Sequence, residues 1–333
     1  MTGKTLLAGD IGGTNCRLAY FSSSLGVSQP LHEENFKNRD YQDFEELLQS
    51  YLDLHPLDFT GICLSIAGPV IDNRVDITNL GWVIDGDRLQ DRYQLGGVWL
   101  LNDLGALSYG VLQLQKQDLV VLREGQPVDR GAIAVIAPGT GLGEGFLIWN
   151  GQDYQAISTE GGHADFGPTN ELQIRLAEYL QKQGIRTSNE QVCSGIGIPY
   201  LYRFLRDEGL APEPDWFGDL LQSAADPTPL IVSSALDESR SCQLCQMTVD
   251  LFVSILGAEA GNLALRTLSL GGIYIGGGIP PRILPYLKKE TFLDALDDKE
   301  PHQELLARIP VKVVVNPIPN LIGAACYGLR ELQ

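Results

Sequence analysis

The sequence predicts an α/β fold in two domains with mixed sheets, and three observations carry that prediction. The chain has 333 residues, the length of about two domains at roughly 150 residues each. Apolar, strand-like runs alternate with segments of helical spacing, the pattern of sheets covered by helices. Two distant stretches, TLLAGDIGGTNCRLAYF (5–21) and AIAVIAPGTGLGEGFLIW (132–149), each read as strand, glycine-rich turn with a threonine, strand. Such hairpins place antiparallel strands beside parallel ones, and their repetition indicates an internal duplication.

The elements follow in order. After the first hairpin, Phe44, Leu47, Leu48 and Tyr51 recur at helical spacing within 41–54. GICLSIAG (61–68) reads as a buried strand, a turn region follows, and the apolar run of VWLLND (98–103) stops at Asn102 and Asp103 before a helix-like LGALSYGVL. Beyond the second hairpin come a polar loop, STEGGHADFGP (158–168), a helix over about 170–183, a helix start at 187–189 continuing through Tyr202, and an insert-like Asp- and Pro-rich stretch, 211–229. A long helical pattern over 237–267 leads to the strand of GGIYIGGGIPPRIL (271–284). VKVVVN (311–316) is a final strand, and a closing helix over about 321–331 is expected to return to the first domain. The domains are therefore expected at 1–110 with 318–333, and at 111–317.

Composition narrows the function. With 44% apolar and 20% charged residues the chain is an ordinary folded protein. A net charge of −18 opposes binding to nucleic acid or to an anionic membrane. No charge-free stretch reads as a membrane span, and no signal peptide is expected at the N-terminus. Six cysteines without regular spacing, apart from Cys242 and Cys245, suggest reduced thiols and a cytoplasmic location. That CxxC has no second pair or nearby histidine and reads as core thiols rather than a zinc or redox centre. The 37 glycines occur in clusters, as tight turns against a ligand require.

In Gly9-Asp10-Ile11-Gly12-Gly13-Thr14-Asn15, Asp10 closes a buried strand and the glycines make a turn whose amides and threonine hydroxyl can face an anion. Asp10 is a candidate to hold magnesium through water; the alternative is a plain hairpin turn. Gly139 and Thr140 repeat the device in PGTGLGEG. Asp103 at a strand end is placed to accept a proton from a bound hydroxyl, with Asn102 fixing that hydroxyl, or else the pair caps a helix. Glu160 and His163 of EGGH offer acceptor and donor groups across two glycines, and Glu190 stands near a helix start. Asn, Asp, Glu and His without basic residues suit a neutral polyol such as a sugar. No GxGxxG fingerprint and no HExxH motif is present.

Taken together, DIGGTN, SIAGPV, TNLGW, LLNDLGAL, PGTGLG, EGGHADF, SNEQVCSG and GGIYIGGGI, in this order along nearly the whole chain, resemble the bacterial-type glucokinase family of the sugar kinase, actin and heat-shock ATPase superfamily. The resemblance implies a two-domain, actin-like ATPase (ribonuclease H-like) fold with mixed sheets and a hinged inter-domain cleft. It further implies ATP-dependent phosphorylation of D-glucose to glucose 6-phosphate, with ATP and Mg2+ bound, in a cytoplasmic homodimer. By position, Asp103 resembles the family's base, and Asn102, Glu160, His163 and Glu190 its glucose ligands, with Asn79 near the sugar. Residues 9–14 resemble the first phosphate motif, Gly139 and Thr140 the second, and Gly276, Gly277 and Gly278 the adenosine motif. The clustered cysteines of the related ROK kinases do not follow His163. The alternatives are a kinase for another hexose or phosphoryl donor, and a non-catalytic sugar sensor of the same fold.

Overall fold

In the computed structural model, which describes residues 3–332, the chain forms two units. The first runs to Asp118 and resumes at Asn316; the second is Leu119–Val315. The first boundary falls eight residues beyond the expected one and the second two residues before it, because the turn after Val111 stays with the first unit. There Asp118 is fastened to Asn316, whose backbone N–H donates to the Asp118 carbonyl (3.2 Å) and whose Nδ2 donates to Asp118 Oδ1 (2.9 Å).

The first unit contains strands β1 (Thr5–Ile11), β2 (Asn15–Ser22), β3 (Gly26–Lys37), β4 (Gly61–Ile66), β5 (Arg74–Ile77), β6 (Trp82–Asp85) and β7 (Gly97–Asn102). Its sheet has the order β3-β2-β1-β4-β7, with β1, β4 and β7 parallel and the two hairpin strands antiparallel. β1 and β4 are apolar because both of their faces are covered. Helices α1 (Phe44–Leu54) and α2 (Gly86–Tyr93) are assigned to this unit with α3 (Asp103–Val111). Asp43 caps α1 through Glu46 N–H, so that helix starts later than its apolar spacing suggests. β5 and β6 form a separate hairpin where a turn region was expected.

The second unit contains β8 (Leu119–Arg123), β9 (Ile133–Pro138), β10 (Leu142–Trp149), β11 (Tyr154–Thr159), β12 (Gly272–Ile275) and β13 (Val311–Val314). Its sheet order is β11-β10-β9-β12-β13-β8. From β11 to β13, order and strand senses repeat those of the first sheet. The duplication read from the two hairpins therefore extends through five strands. The helices are α4 (Glu171–Lys182), α5 (Asn189–Val192), α6 (Ile198–Asp207), α7 (Asp215–Ser223), α8 (Pro227–Leu236), α9 (Gln243–Thr267), α10 (Leu284–Leu287), α11 (Glu290–Asp297) and α12 (Gln303–Leu306). α13 (Pro319–Glu331) closes the chain in the first unit, burying Leu321, Ala324 and Ala325 against Leu6, Ala8 and Cys63.

Two expectations need correction. The stretch 211–229 is not a loose insert: it carries α7 and the start of α8, and Phe217 is fully buried in the core. The long helix begins at Gln243 rather than near 237, since Cys242 is its N-cap. By length and composition α9 could cross a membrane, yet 78% of its most apolar window is buried within the protein. It is the helix around which the second core assembles, with Val249, Phe252, Leu256 and Leu263 buried. Cys242 and Cys245 are buried free thiols with their sulfurs 3.0 Å apart.

Candidate active site

In the first unit, the turn between β1 and β2 is closed by Gly12 N–H donating to the Asn15 carbonyl (2.9 Å). Buried Asn38 braces it from behind: its Nδ2 donates to the Gly12 carbonyl (2.8 Å), and its N–H donates to the Thr14 carbonyl (2.9 Å). The turn thus has a fixed shape, with Gly13 and Thr14 exposed. Asp10 sits at the end of β1 and accepts a hydrogen bond from Ser65 Oγ (2.8 Å). Burial raises its pKa, against the opposing effects of the Ser65 bond, Arg17 and Asn320. A carboxylate whose charge is disfavoured by burial gains from a cation beside it, so the residues present fit a metal held at Asp10.

Sheet register places the candidate base level with this loop. Ile11 pairs with Ile66, and Ile66 pairs with Asn102. Two strand spacings, about 10 Å, therefore separate the loop from Asn102 along one carboxyl edge, where ligands of such sheets bind. Asn102 is the N-cap of α3: its Oδ1 accepts from Leu104 N–H (3.0 Å), and its Nδ2 donates to the Gly68 carbonyl (3.0 Å). Asp103 is the first residue of α3 and accepts from Leu104 N–H through Oδ1 (2.8 Å). The capping alternative thus holds, and capping fixes the pair in place. Asn79 lies in the turn between β5 and β6, its Nδ2 about 3.0 Å from where a β-carbon on Gly13 would lie. It stands beside the first glycine-rich turn.

The second unit gathers the other candidates. Glu160 and His163 flank a short 3-10 turn, Gly161–His163. His163 lies between two carboxylates, Nε2 at 3.8 Å from Glu160 and Nδ1 at 3.7 Å from Glu190. The Glu160 and His163 side chains are 82% and 60% exposed, ready for a polar ligand, whereas that of Glu190 is only 19% exposed. Glu190 is already engaged, since its Oε2 accepts from Leu142 N–H (3.1 Å) at the end of the Gly139–Thr140 loop. The same loop is held from the turn between α5 and α6: Gly195 N–H donates to the Gly139 carbonyl (2.8 Å) and Ile196 N–H to the Thr140 carbonyl (3.2 Å). Thr228 Oγ1 in turn donates to the Gly195 carbonyl (2.7 Å), which gives the Asp- and Pro-rich stretch a place behind the Gly139–Thr140 loop.

Gly276–Gly278 follows β12 and rests on the end of β9, just before that loop. Gly276 N–H donates to the Ile136 carbonyl (2.8 Å), and Ile279 N–H to the Pro138 carbonyl (3.3 Å). Gly277 has φ +86, and a β-carbon there would overlap the Pro138 carbonyl, so no other residue fits. Each unit therefore assembles its own share of the candidates: residues 9–15, 79, 102 and 103 in the first, and 139–140, 160, 163, 190 and 276–278 in the second.

Sequence reasoning missed the supports. Ser65 was legible as a polar residue inside an apolar strand; Asn38, Thr228 and Glu144 carried no local signal. Glu144, on β10, is 1% exposed. Burial, then the charge of Glu259, pushes its pKa up to about 8, against Arg266.

A protein-family model described as glucokinase matches residues 7–331. The chain is 42% identical to a glucokinase of Nostoc punctiforme over 98% of its length and 99% of that protein's. It is 39% identical to one of Synechocystis sp. over 99% of each chain. Among solved structures, a glucokinase from an Antarctic psychrotroph superposes with a TM-score of 0.84 at 30% identity, covering 97% of this chain and 98% of that one. A ROK family glucokinase from Streptomyces griseus, solved with glucose and AMPPNP, shares the fold with a TM-score of 0.63 at 18% identity, over 98% and 99% of the two chains. A family match that runs from β1 to α13, through both glycine-rich turns and the LLND and EGGH segments, shows that this chain belongs to the glucokinase family.

Proposed function

We infer that the protein transfers the γ-phosphoryl group of ATP to the 6-hydroxyl of D-glucose, releasing ADP and glucose 6-phosphate. The observation that carries this reading is the placing of Asp103 at the carboxyl edge of the sheet that bears the first phosphate loop. Asp103 takes the hydroxyl proton as the sugar oxygen attacks the phosphorus in line. Asn102, fixed by its two backbone bonds, orients that hydroxyl. Glu160, His163 and Glu190 hold the remaining hydroxyls, and the absence of basic residues from this set keeps it suited to a neutral sugar.

The amides and threonine hydroxyls of residues 9–15 and of Gly139–Thr140 grip the phosphates. Gly276–Gly278 lets the adenosine approach the backbone. Asp10 would hold magnesium, through water, and the ion would supply positive charge to the triphosphate oxygens. Asn79, beside Gly13, completes the polar lining near the reacting groups. The same reading takes the protein to act in the cytoplasm as a homodimer, without nucleic-acid or membrane partners, as a net charge of −18 favours.

The test is coupled ADP release with glucose, mannose and fructose, each crossed with ATP and polyphosphate. Glucose with ATP is expected to exceed the other pairs in kcat/KM by about tenfold or more, since a site built to bond hydroxyls rejects sugars that place them differently. Equal turnover with every hexose, or turnover with polyphosphate alone, overturns the substrate assignment. Glucose binding with no turnover by any donor supports the sensor instead.

A further inference from the structure

Glu144 lies behind the sugar loop, and no step of the reaction above uses it. Two links join it to that loop. The Glu144 carbonyl accepts from Thr159 Oγ1 (2.8 Å), and Thr159 Oγ1 accepts in turn from Gly161 N–H (3.0 Å). The carboxyl fills the space beside the Gly161 α-carbon, so that a β-carbon at 161 would overlap Oε2. The Glu144 side chain is buried and shares a hydrogen bond with that of Glu259.

We propose that Glu144 is a positioning residue of the glucose site, its buried carboxyl being the seat on which Gly161 rests and thereby fixing where Glu160 and His163 stand. The proposal rests on the assignment of Glu160 and His163 to the sugar.

The surroundings make this seat sensitive to ionisation. From α9, Glu259 faces Glu144, and Arg266 lies 3.9 Å away while bonding Glu259 at 2.8 Å. Asn262 Nδ2 also donates to Glu259 (2.8 Å). Arg266 is thus already committed to Glu259. Lys299, after α11, adds positive charge on the Glu259 side, and the buried Cys193 thiol, beyond α5, has its own pKa driven up by burial and by both carboxylates. β9 presents apolar Ile136 opposite Glu144, and β11 presents Thr159. Beyond Gly161 stand Glu160 and His163, both open to solvent. Burial and the Glu259 charge keep the Glu144 carboxyl neutral at neutral pH. Ionisation on the alkaline side sets two buried carboxylates against each other and pushes on the loop.

The experiment measures KM for glucose and for ATP from pH 6.5 to 9.5 in the full-length protein, in Glu144→Gln and in Glu144→Ala. In the unsubstituted protein, glucose KM should rise about tenfold on the alkaline side, the ratio that losing one buried hydrogen bond produces, with ATP KM flat. Glu144→Gln keeps the neutral shape and should abolish the alkaline rise. Glu144→Ala should raise glucose KM at every pH while leaving ATP KM in place. The proposal fails if Glu144→Gln retains the alkaline rise, or if Glu144→Ala shifts both KM values equally. Should the alanine variant fail to fold, the glutamine profile decides. Glu160→Gln is measured alongside: an unchanged glucose KM there removes the sugar-site assignment itself, a failure distinct from that of the seat.

Discussion

Replacing Asp103 by asparagine isolates the chemistry from the architecture. The carboxylate accepts Leu104 N–H at 2.8 Å through Oδ1 and begins α3. Asparagine retains an oxygen at that position, and the cap bond from Leu104 N–H to Asn102 Oδ1 is untouched, so the helix start survives. What is lost is the ability to take a proton. General-base assistance contributes about 10²- to 10⁴-fold, which at 1.36 kcal/mol per tenfold raises the barrier by roughly 3–5 kcal/mol. Asp103→Asn should therefore lower kcat by about two to four decades. Glucose affinity should change only a few-fold, because an amide still bonds a hydroxyl. Coupled ADP release gives kcat, and titration calorimetry with glucose gives affinity. A variant that keeps more than a tenth of kcat refutes the base assignment. One that loses glucose binding together with turnover shows that Asp103 acts as a ligand and not as the base.

Two further outcomes test the supports of the site. Gly277→Ala forces a β-carbon into a backbone with φ +86 and against the Pro138 carbonyl. Left-handed strain alone is about 1–2 kcal/mol, or roughly 2–8 °C in Tm for a domain of this size. Calorimetry should show that loss with a raised ATP KM, and an unchanged pair of values would remove the adenosine-loop assignment. The second concerns pH and stability. The folded protein holds the Glu144 proton up to about 8, whereas an unfolded glutamate releases it near 4.3. The folded state therefore binds the extra proton between those values, and its stability is full below the lower one and declines as pH rises through the upper one. Glu144→Gln lacks that decline, so its Tm relative to the unsubstituted protein should climb from pH 5 to pH 9 in scanning calorimetry. Parallel Tm curves would show that the carboxyl does not titrate there.

The sequence by itself determined the parts that depend on neighbours along the chain. Apolar periodicity located β1, β4, β7, β9 and β12, and glycine clusters located the three loops, because strand burial and tight turns leave their mark within a few residues. Asn102 and Asp103 were legible for the same reason: polar groups at the end of an apolar run are either a cap or a site. The tertiary structure decided whatever depends on contact between distant segments. β3 and β11 have too little apolar patterning to be read, since each is an edge strand with its outer face wet. The stretch 211–229 looked like an insert because Asp and Pro mark loops, yet Phe217 draws it into the core. Asn38 behind Gly12, Thr228 behind Gly195 and Glu144 behind Thr159 became visible only when the fold brought residues 15 to 33 positions apart within bonding distance. A hydrogen-bonded brace needs only one polar atom at the right place in space, and one such atom leaves no periodic trace in a sequence.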